Sequence, residues 1–197
     1  LTFGGESGNE MTRRGLIDKN LSNERYLKNC GYLQKYKIPF HTGNIIGLPG
    51  EGIEEAFETA RFNNKIGVAS ARSALFWPFP GTKLTEYAMD HGMLTSDYSV
   101  EYFNRGIYPT VEHKDIEKLK VFNSMFQFIA QWPLFESVAR FLLKWPNNAI
   151  VKFVAVLADK SFWFAEAKFF GLLNLSGLRY WWHLRQALAN TRRHAAD

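Results

Sequence analysis

Hydrophobic residues follow two different spacings along the first half of the chain. Leu27, Cys30 and Leu33 recur at helical spacing, whereas the apolar runs between the helices are short and continuous, as in buried strands. The predicted order is a strand at the N-terminus, a helix over 23–36, a strand over 40–47, a helix over 53–66, a strand over 68–77 and a helix over 83–91. Strands that alternate with crossover helices form a parallel sheet with right-handed connections, so the sequence predicts an α/β fold.

The chain changes character near residue 115. A tyrosine-rich loop over 95–110 precedes a region in which helical patterns follow one another without strands. The predicted helices cover 115–131, 134–144, 149–170 and 176–193, and Trp-Pro dipeptides end the first two because proline cannot continue a helix. We therefore expect two domains, a strand–helix domain over 1–112 and a helical, aromatic-rich and basic region over 113–197.

The net charge of +5 comes entirely from the second region. Residues 1–120 hold 15 basic and 15 acidic residues, whereas residues 121–197 hold 9 basic, 4 acidic and 16 of the 31 aromatic residues. We expect these helices to pack on the strand–helix domain or on a missing domain. The alternative is that they lie on an anionic membrane, as basic helices that carry tryptophan do. The basic residues are too widely spread to indicate nucleic acid, so none is expected as a partner.

The sequence also bears on the compartment. No window of this region is apolar enough for a transmembrane span, and a single cysteine fits a reducing compartment. We expect a cytoplasmic protein, with peripheral contact to the inner face of the membrane under the membrane alternative. The chain begins with Leu1 inside a strand-like run, so we also expect it to be a fragment that lacks its N-terminal half.

The central predicted strand carries the most informative glycines. Alternate residues of a strand share a face, so Gly43, Ile45 and Gly47 are expected on one side of it. Glycine weakens a strand interior because it packs nothing, so this spacing indicates something flat and bulky against that face. Close contact between the strand and a helix of the core is the alternative.

Common catalytic patterns are missing from the sequence. The five histidines are scattered without metal-ligand spacing, and no Gly-x-Ser-x-Gly nucleophile turn occurs. The turn over 48–51 ends in Glu51 and leads to Glu54 and Glu55, which would repel a phosphate. The lone Cys30 lies at an inward helical position and has no ligand partners nearby, so no metal site is expected in the chain.

Three segments together resemble the second half of a radical S-adenosylmethionine (SAM) barrel. They are Glu6-Ser7-Gly8-Asn9, Asn44-Ile45-Ile46-Gly47-Leu48-Pro49-Gly50-Glu51 and Pro78-Phe79-Pro80-Gly81-Thr82. The resemblance covers roughly residues 1 to 110 and is strongest to the branch that often carries a cobalamin-binding domain, which includes magnesium-protoporphyrin ester cyclases and methyltransferases. The defining Cys-x3-Cys-x-x-Cys motif is absent, since the chain has only Cys30. The resemblance implies a partial parallel (βα) barrel of about three strand–helix units, followed by an α-helical C-terminal region.

The resemblance also implies which residues bind SAM. Glu6 and Ser7 match the strand end that often meets the ribose, and Gly43, Ile45 and Gly47 match a strand on which adenine packs. Phe76 and Trp77 match the segment whose backbone meets the adenine edge. For Glu6 the alternative is an ion pair with Arg13 or Arg14, and for Phe76 and Trp77 it is a place in the core.

The function implied is that of a radical SAM enzyme fragment. A [4Fe–4S] cluster would be bound by the missing N-terminal half of the same protein, and the branch implies cobalamin as a further cofactor. The reaction would be radical C–H activation or methyl transfer on an unknown, lipophilic small molecule. The alternative is a membrane-surface or partner-binding module in which the barrel half is only scaffold.

Overall fold

The computed structural model describes residues 1–94 and 114–169, with side chains to residue 160. Its elements are β1 (Thr2–Glu6), α1 (Glu10–Gly15), α2 (Asn23–Lys35), β2 (His41–Ile46), α3 (Ile53–Lys65), β3 (Ser70–Leu75), α4 (Lys83–Asp90), α5 (Ile116–Gln131), α6 (Phe135–Leu142) and α7 (Ala149–Phe169). The chain divides into two compact units, residues 1–158 and 159–197. The predicted loop over 95–110, the predicted domain boundary after residue 112 and the predicted helix over 176–193 lie outside the described residues.

The described strands form one parallel sheet in the order β1-β2-β3, which confirms the predicted α/β fold. Gly43 of β2 is paired with Gly4 of β1 on one side and with Arg72 of β3 on the other. Residues paired in register point to the same face of the sheet. Among the described residues the sheet is open, with β1 and β3 at its edges.

Local capping explains why the helices begin and end where they do. The Ser22 side chain accepts a hydrogen bond from the Arg25 backbone N–H at 3.2 Å, and Thr82 accepts one from Thr85 at 3.3 Å. Gly67, with a φ of 67°, follows α3 in the left-handed conformation that glycine tolerates best. These three predicted helix boundaries are therefore confirmed.

Helix α1 lies in a segment that the sequence analysis left without a helix. Asn9 caps it, since its Oδ1 accepts a hydrogen bond from the Thr12 N–H at 3.0 Å, and Glu10 lies in its first turn. Both signals are typical of a helix N-terminus. The missing signal is apolar periodicity, because the helix buries only Arg13.

One face of the sheet is covered by α3 and α5, and we call it the covered face. Ile46 of β2 and Ala71 of β3 lie in one buried cluster with Phe57, Phe122 and Phe126. Two hydrogen bonds join α5 to β3. The Ala71 N–H donates to Gln127 Oε1 at 2.6 Å, and Ser73 Oγ donates to Asn123 Oδ1 at 2.7 Å. Helix α5 lies in the region after residue 112 that was predicted to be helical, and it is part of the hydrophobic core that packs on the sheet.

In residues 1–94 and 114–169, no helix is both long enough and apolar enough to cross a bilayer.

Candidate functional site

The first strand ends in an irregular turn at Glu6. A bulge lies between Gly4 and Glu6, and Glu6 has a φ of 59°, in the left-handed region that is costly for a residue with a side chain. A Cβ built on Gly4 would collide with the Glu6 carboxylate, so that side chain folds back over Gly4. Glycine at position 4 therefore makes room for Glu6 on the face that the helices α3 and α5 leave open.

Glu6 is paired with a different cation from those considered in the sequence analysis. Its Oε1 lies 3.4 Å from Lys19 Nζ, which also donates to the Gly4 carbonyl at 2.6 Å. Arg14 contacts Glu10 instead, and Arg13 turns towards Ser7, so the alternative of an Arg13 or Arg14 partner is wrong. About a quarter of the Glu6 side chain is exposed, and its carboxylate has further acceptor positions for a ligand.

Ser7 lies next to Glu6 but faces the interior. Its hydroxyl donates to Glu51 Oε1 at 3.0 Å and accepts from the Asn9 N–H at 3.1 Å. Arg13 Nη1 donates to the Ser7 carbonyl at 2.6 Å. The side chain is buried, so of the two predicted ribose contacts only Glu6 reaches solvent.

Two buried charged residues, Glu51 and Arg13, fix this turn. Burial raises the pKa of Glu51, and the hydrogen bond from Ser7 acts in the opposite direction. Burial lowers the pKa of Arg13, whose guanidinium lies 5.5 Å from the ring centre of Tyr26 and 5.3 Å from that of Phe62. Neither role was predicted from the sequence. Ser7 and Glu51 are 44 residues apart, so no local spacing connects them. Arg13 is the buried residue of α1, a helix that the hydrophobic pattern did not predict.

Gly43 and Ile45 lie on the face opposite to α3 and α5, which we call the open face (Gly4, Gly43, Ile45, Arg72 and Ala74). Arg72 and Ala74 are exposed, and a Cβ built on Gly43 would meet nothing within 4 Å. Ile45 packs against the small cluster of Leu48, Phe76 and Ala88. Gly43 therefore leaves a flat, unfilled position at the centre of the open face.

Gly47 does not extend the row formed by Gly43 and Ile45 on the open face. Strand β2 ends at Ile46, and Gly47 turns the chain with a φ of 68°. A Cβ on Gly47 would lie 3.0 Å from Leu119 Cδ1 of α5. Glycine is needed here for the turn and for close contact with a helix, which is the alternative that the sequence analysis had left open for this strand.

Phe76 and Trp77 follow the end of β3. The Phe76 N–H donates to the Ile46 carbonyl at 2.9 Å, and its ring is 9% exposed within the cluster that also contacts Ile45. Trp77 is partly exposed. The structure thus brings Ile45 and Phe76 together in one hydrophobic cluster, in which the Phe76 ring is part of a core. Gly43 lies further back along β2, where it is paired with Arg72.

A cavity of about 540 Å³ lies at the turn after β2, at the carboxyl end of the sheet. Its lining includes the segment 49–55 together with Met93, Lys114 and Asp115. Crevices at this edge of parallel sheets are the usual ligand sites of α/β folds. The three glutamates of the lining favour hydrogen-bond donors over anions.

The chain's residues do not fit a [4Fe–4S] cluster. A cluster of this kind needs several cysteine thiolates, and the sequence has only Cys30, whose pKa burial raises to about 11. Within the part of the chain that the structure describes, no three His, Cys, Asp or Glu side chains are grouped as a metal site.

Comparison with known proteins gives one partial similarity. No protein-family model matches the chain. A segment of 108 residues is 29% identical to a protein of Pyrococcus horikoshii named uncharacterized methyltransferase PH0819. The alignment covers 55% of this chain and 22% of that relative, so the chain spans about a fifth of the relative's length.

Proposed function

We propose that this chain is the SAM-binding part of a methyl-transferring enzyme of the radical SAM type. The observation that carries the proposal is the open face, where Gly43 leaves a flat position and the Glu6 carboxylate lies over Gly4 at the strand end. The name of the Pyrococcus horikoshii relative, a methyltransferase, agrees with SAM as the ligand.

The residues of the open face fit the parts of SAM. Adenine is flat and apolar on its faces, so it would lie on Gly43 and against the Ile45 side chain. The two ribose hydroxyls are donors, and the partly exposed Glu6 carboxylate is a suitable acceptor for both. Glu51 and Arg13 would act indirectly, by fixing Ser7 and with it the backbone that carries Glu6.

The sheet itself supports a larger architecture. Both edge strands, β1 and β3, have one neighbour among the described residues, and exposed parallel edges are normally paired or covered. We propose that the sheet is part of a parallel (βα) barrel that other segments of the same protein complete. Those segments would supply the cluster cysteines, and a cobalamin domain would accompany them.

In this arrangement the cofactors and the residues of this chain have different chemical roles. When SAM is bound to a reduced [4Fe–4S] cluster, the cofactors supply the radical chemistry. This chain's residues would bind the nucleoside, orient it with Glu6 and Ile45, and exclude water on the open face. The substrate would be a small, lipophilic molecule.

Equilibrium dialysis with labelled SAM tests the proposal directly. In the complete protein, with the segments that bind the cluster, we expect Glu6→Ala to weaken SAM binding about ten- to hundredfold, because charge-assisted hydrogen bonds contribute about 1.5–3 kcal/mol. Ile45→Asp should weaken binding at least as much, since it would bring a carboxylate against adenine.

Matched controls are available on exposed positions elsewhere. Glu24→Ala in α2 and Ile38→Asp in the loop before β2 make the same chemical changes away from the open face. Circular dichroism of each variant checks that it folds. A complete protein that does not bind SAM, or Glu6 and Ile45 variants of it that bind SAM like their controls, would overturn the proposal. Reading the coding sequence upstream of Leu1 for Cys-x3-Cys-x-x-Cys tests the radical SAM assignment separately.

A further inference from the structure

The outward side of α6 and of the first turns of α7 is apolar. Its six residues, which we call the outer apolar surface, are Leu134, Val138, Phe141, Trp145, Ile150 and Phe153, and each is between 47% and 89% exposed. Leu134, Val138 and Phe141 follow the spacing i, i+4 and i+7, which keeps them on one side of α6. Trp145 lies beyond the end of the helix, and its ring meets that of Phe141 at 5.2 Å between centres. These four residues form a continuous stripe along α6 and just past its end.

This stripe is not required by the core of the chain. The inward side of the same segment already buries Ala139 and Leu143, and α7 buries Val151 and Ala155 in the same cluster. A surface helix normally carries polar residues on its outward side. An outward side rich in phenylalanine and tryptophan therefore indicates a contact beyond the described fold.

Apart from one carboxylate that is paired with arginines, the charged side chains of this segment are cations. Its single carboxylate, Glu136, accepts hydrogen bonds from Arg61 and Arg140, both at 2.9 Å. Lys144 and Lys152 are exposed and lie next in sequence to Trp145 and Phe153. Lys144 Nζ lies 5.9 Å from the ring centre of Phe141. The pKa of Glu117 is lowered chiefly by a hydrogen bond from Lys120, with a smaller electrostatic contribution from Lys152. The outer apolar surface is thus flanked by two exposed lysines, which gives it a positive rim.

We propose that the outer apolar surface docks on an anionic lipid bilayer, with α6 and the start of α7 lying in the interface. Apolar and aromatic side chains enter the headgroup boundary, and flanking lysines contact anionic headgroups. A protein partner with an apolar groove would use the stripe but would have no general need for both lysines. The proposal is independent of SAM binding.

Co-sedimentation of the 197-residue chain with lipid vesicles tests the proposal. Vesicles of phosphatidylcholine mixed with phosphatidylglycerol should bind the chain, whereas vesicles of phosphatidylcholine alone should bind it weakly. Raising the salt concentration should weaken binding to the anionic vesicles, because the lysine contacts are screened. Sedimentation velocity without lipid distinguishes docking on lipid from pairing with a second copy of the chain.

Two double variants separate the apolar and the electrostatic contributions. Phe141→Asn with Trp145→Asn should weaken binding more than about tenfold, because two large apolar side chains no longer enter the interface. Lys144→Gln with Lys152→Gln should weaken binding to anionic vesicles roughly tenfold or more and leave neutral vesicles unaffected.

The control variants make the same kinds of substitution at exposed positions outside the outer apolar surface. Tyr32→Asn with Tyr36→Asn removes two exposed aromatic residues from the end of α2, and Lys28→Gln with Lys65→Gln removes two exposed lysines. Both controls should bind vesicles like the unmodified chain. Binding that ignores lipid charge, equal losses in test and control variants, no binding at all, or a stable dimer that buries Phe141 would each overturn the proposal.

Discussion

The two faces of the sheet are built from neighbouring residues of the same strands but differ in what they contact. On the covered face, Thr42 and Asn44 of β2 are hydrogen-bonded to Asn63 of α3, and Ile46 is fully buried. On the open face, Gly43 meets nothing at its missing side-chain position, and Ala74 is exposed. The covered face holds the fold together, so substitutions on the open face are expected to change stability little.

A core substitution behind the covered face should have the largest effect. Phe122 is fully buried and meets Phe57 edge to face at 4.7 Å between ring centres. We expect Phe122→Ala to lower the free energy of unfolding by about 3–5 kcal/mol, measured by urea denaturation. Phe141→Ala, on an exposed phenylalanine, should change it by less than about 0.5 kcal/mol. Equal losses in both variants would mean that α5 does not support the sheet as described.

Filling the open face should affect binding instead of folding. Gly43→Val adds a side chain where a Cβ finds open space, in a strand that favours β-branched residues, so the unfolding free energy should not fall. In the complete protein, SAM affinity should fall about tenfold or more, since the valine would occupy the position proposed for adenine. Gly47→Ala is the opposite case, because its φ of 68° and the nearby Leu119 make it destabilising. A complete Gly43→Val protein that binds SAM normally would contradict the proposed site.

The buried Glu51 should make stability depend on pH. Because burial raises its pKa in the folded state, the ionised form is disfavoured on folding, and stability is lost as pH rises from about 4, the ordinary carboxyl value, through the raised pKa. Glu51→Gln keeps an acceptor for Ser7 and removes this titration. We expect the stability of the native chain, relative to Glu51→Gln, to fall with rising pH in urea denaturation. A difference that is constant across pH would show that Glu51 titrates normally.

The smallest effect is expected at the rim of the covered face. Arg140 donates to both carboxylate oxygens of Glu54, at 2.7 and 2.8 Å, and lies 4.0 Å from the ring centre of Phe57. Both side chains of the ion pair are substantially exposed, so Arg140→Gln should cost at most about 1 kcal/mol in thermal or urea unfolding. Lys83→Gln, which breaks the more exposed pair with Asp18, should have no measurable effect. A loss at Arg140 well above that range would mean that the rim carries part of the core's stability.

Local signals in the sequence predicted most of the described elements, whereas contacts between distant residues could not be predicted. Caps such as Ser22 and Thr82 act within a single turn, so their effect can be read from neighbouring residues. The pairing of Ser7 with Glu51 depends on how two strand ends meet, and the alternation rule failed for Gly47 because the strand ends one residue earlier.

At the candidate site, too, contacts that depend on the folded backbone could not be predicted from the sequence. The sequence identified Glu6 and Gly43, but not that Gly4 is the residue that accommodates the Glu6 carboxylate. A bulge between Gly4 and Glu6 creates that contact. Glycines within a strand are a general signal of a bulge, but they do not indicate over which residue the next side chain folds.

The left-handed backbone at Glu6 has a consequence for how this position can evolve. A glycine would adopt a φ of 59° without strain, which relieves about 1–2 kcal/mol. The greater freedom of glycine in the unfolded chain opposes this by about 0.5–1 kcal/mol. We therefore expect Glu6→Gly to stabilise the folded chain by at most about 1 kcal/mol. The most stable residue at this position is therefore one with no side chain at all. If Glu6 binds SAM as proposed, its carboxylate is kept at this position at the expense of folding stability, and selection for stability alone would remove it.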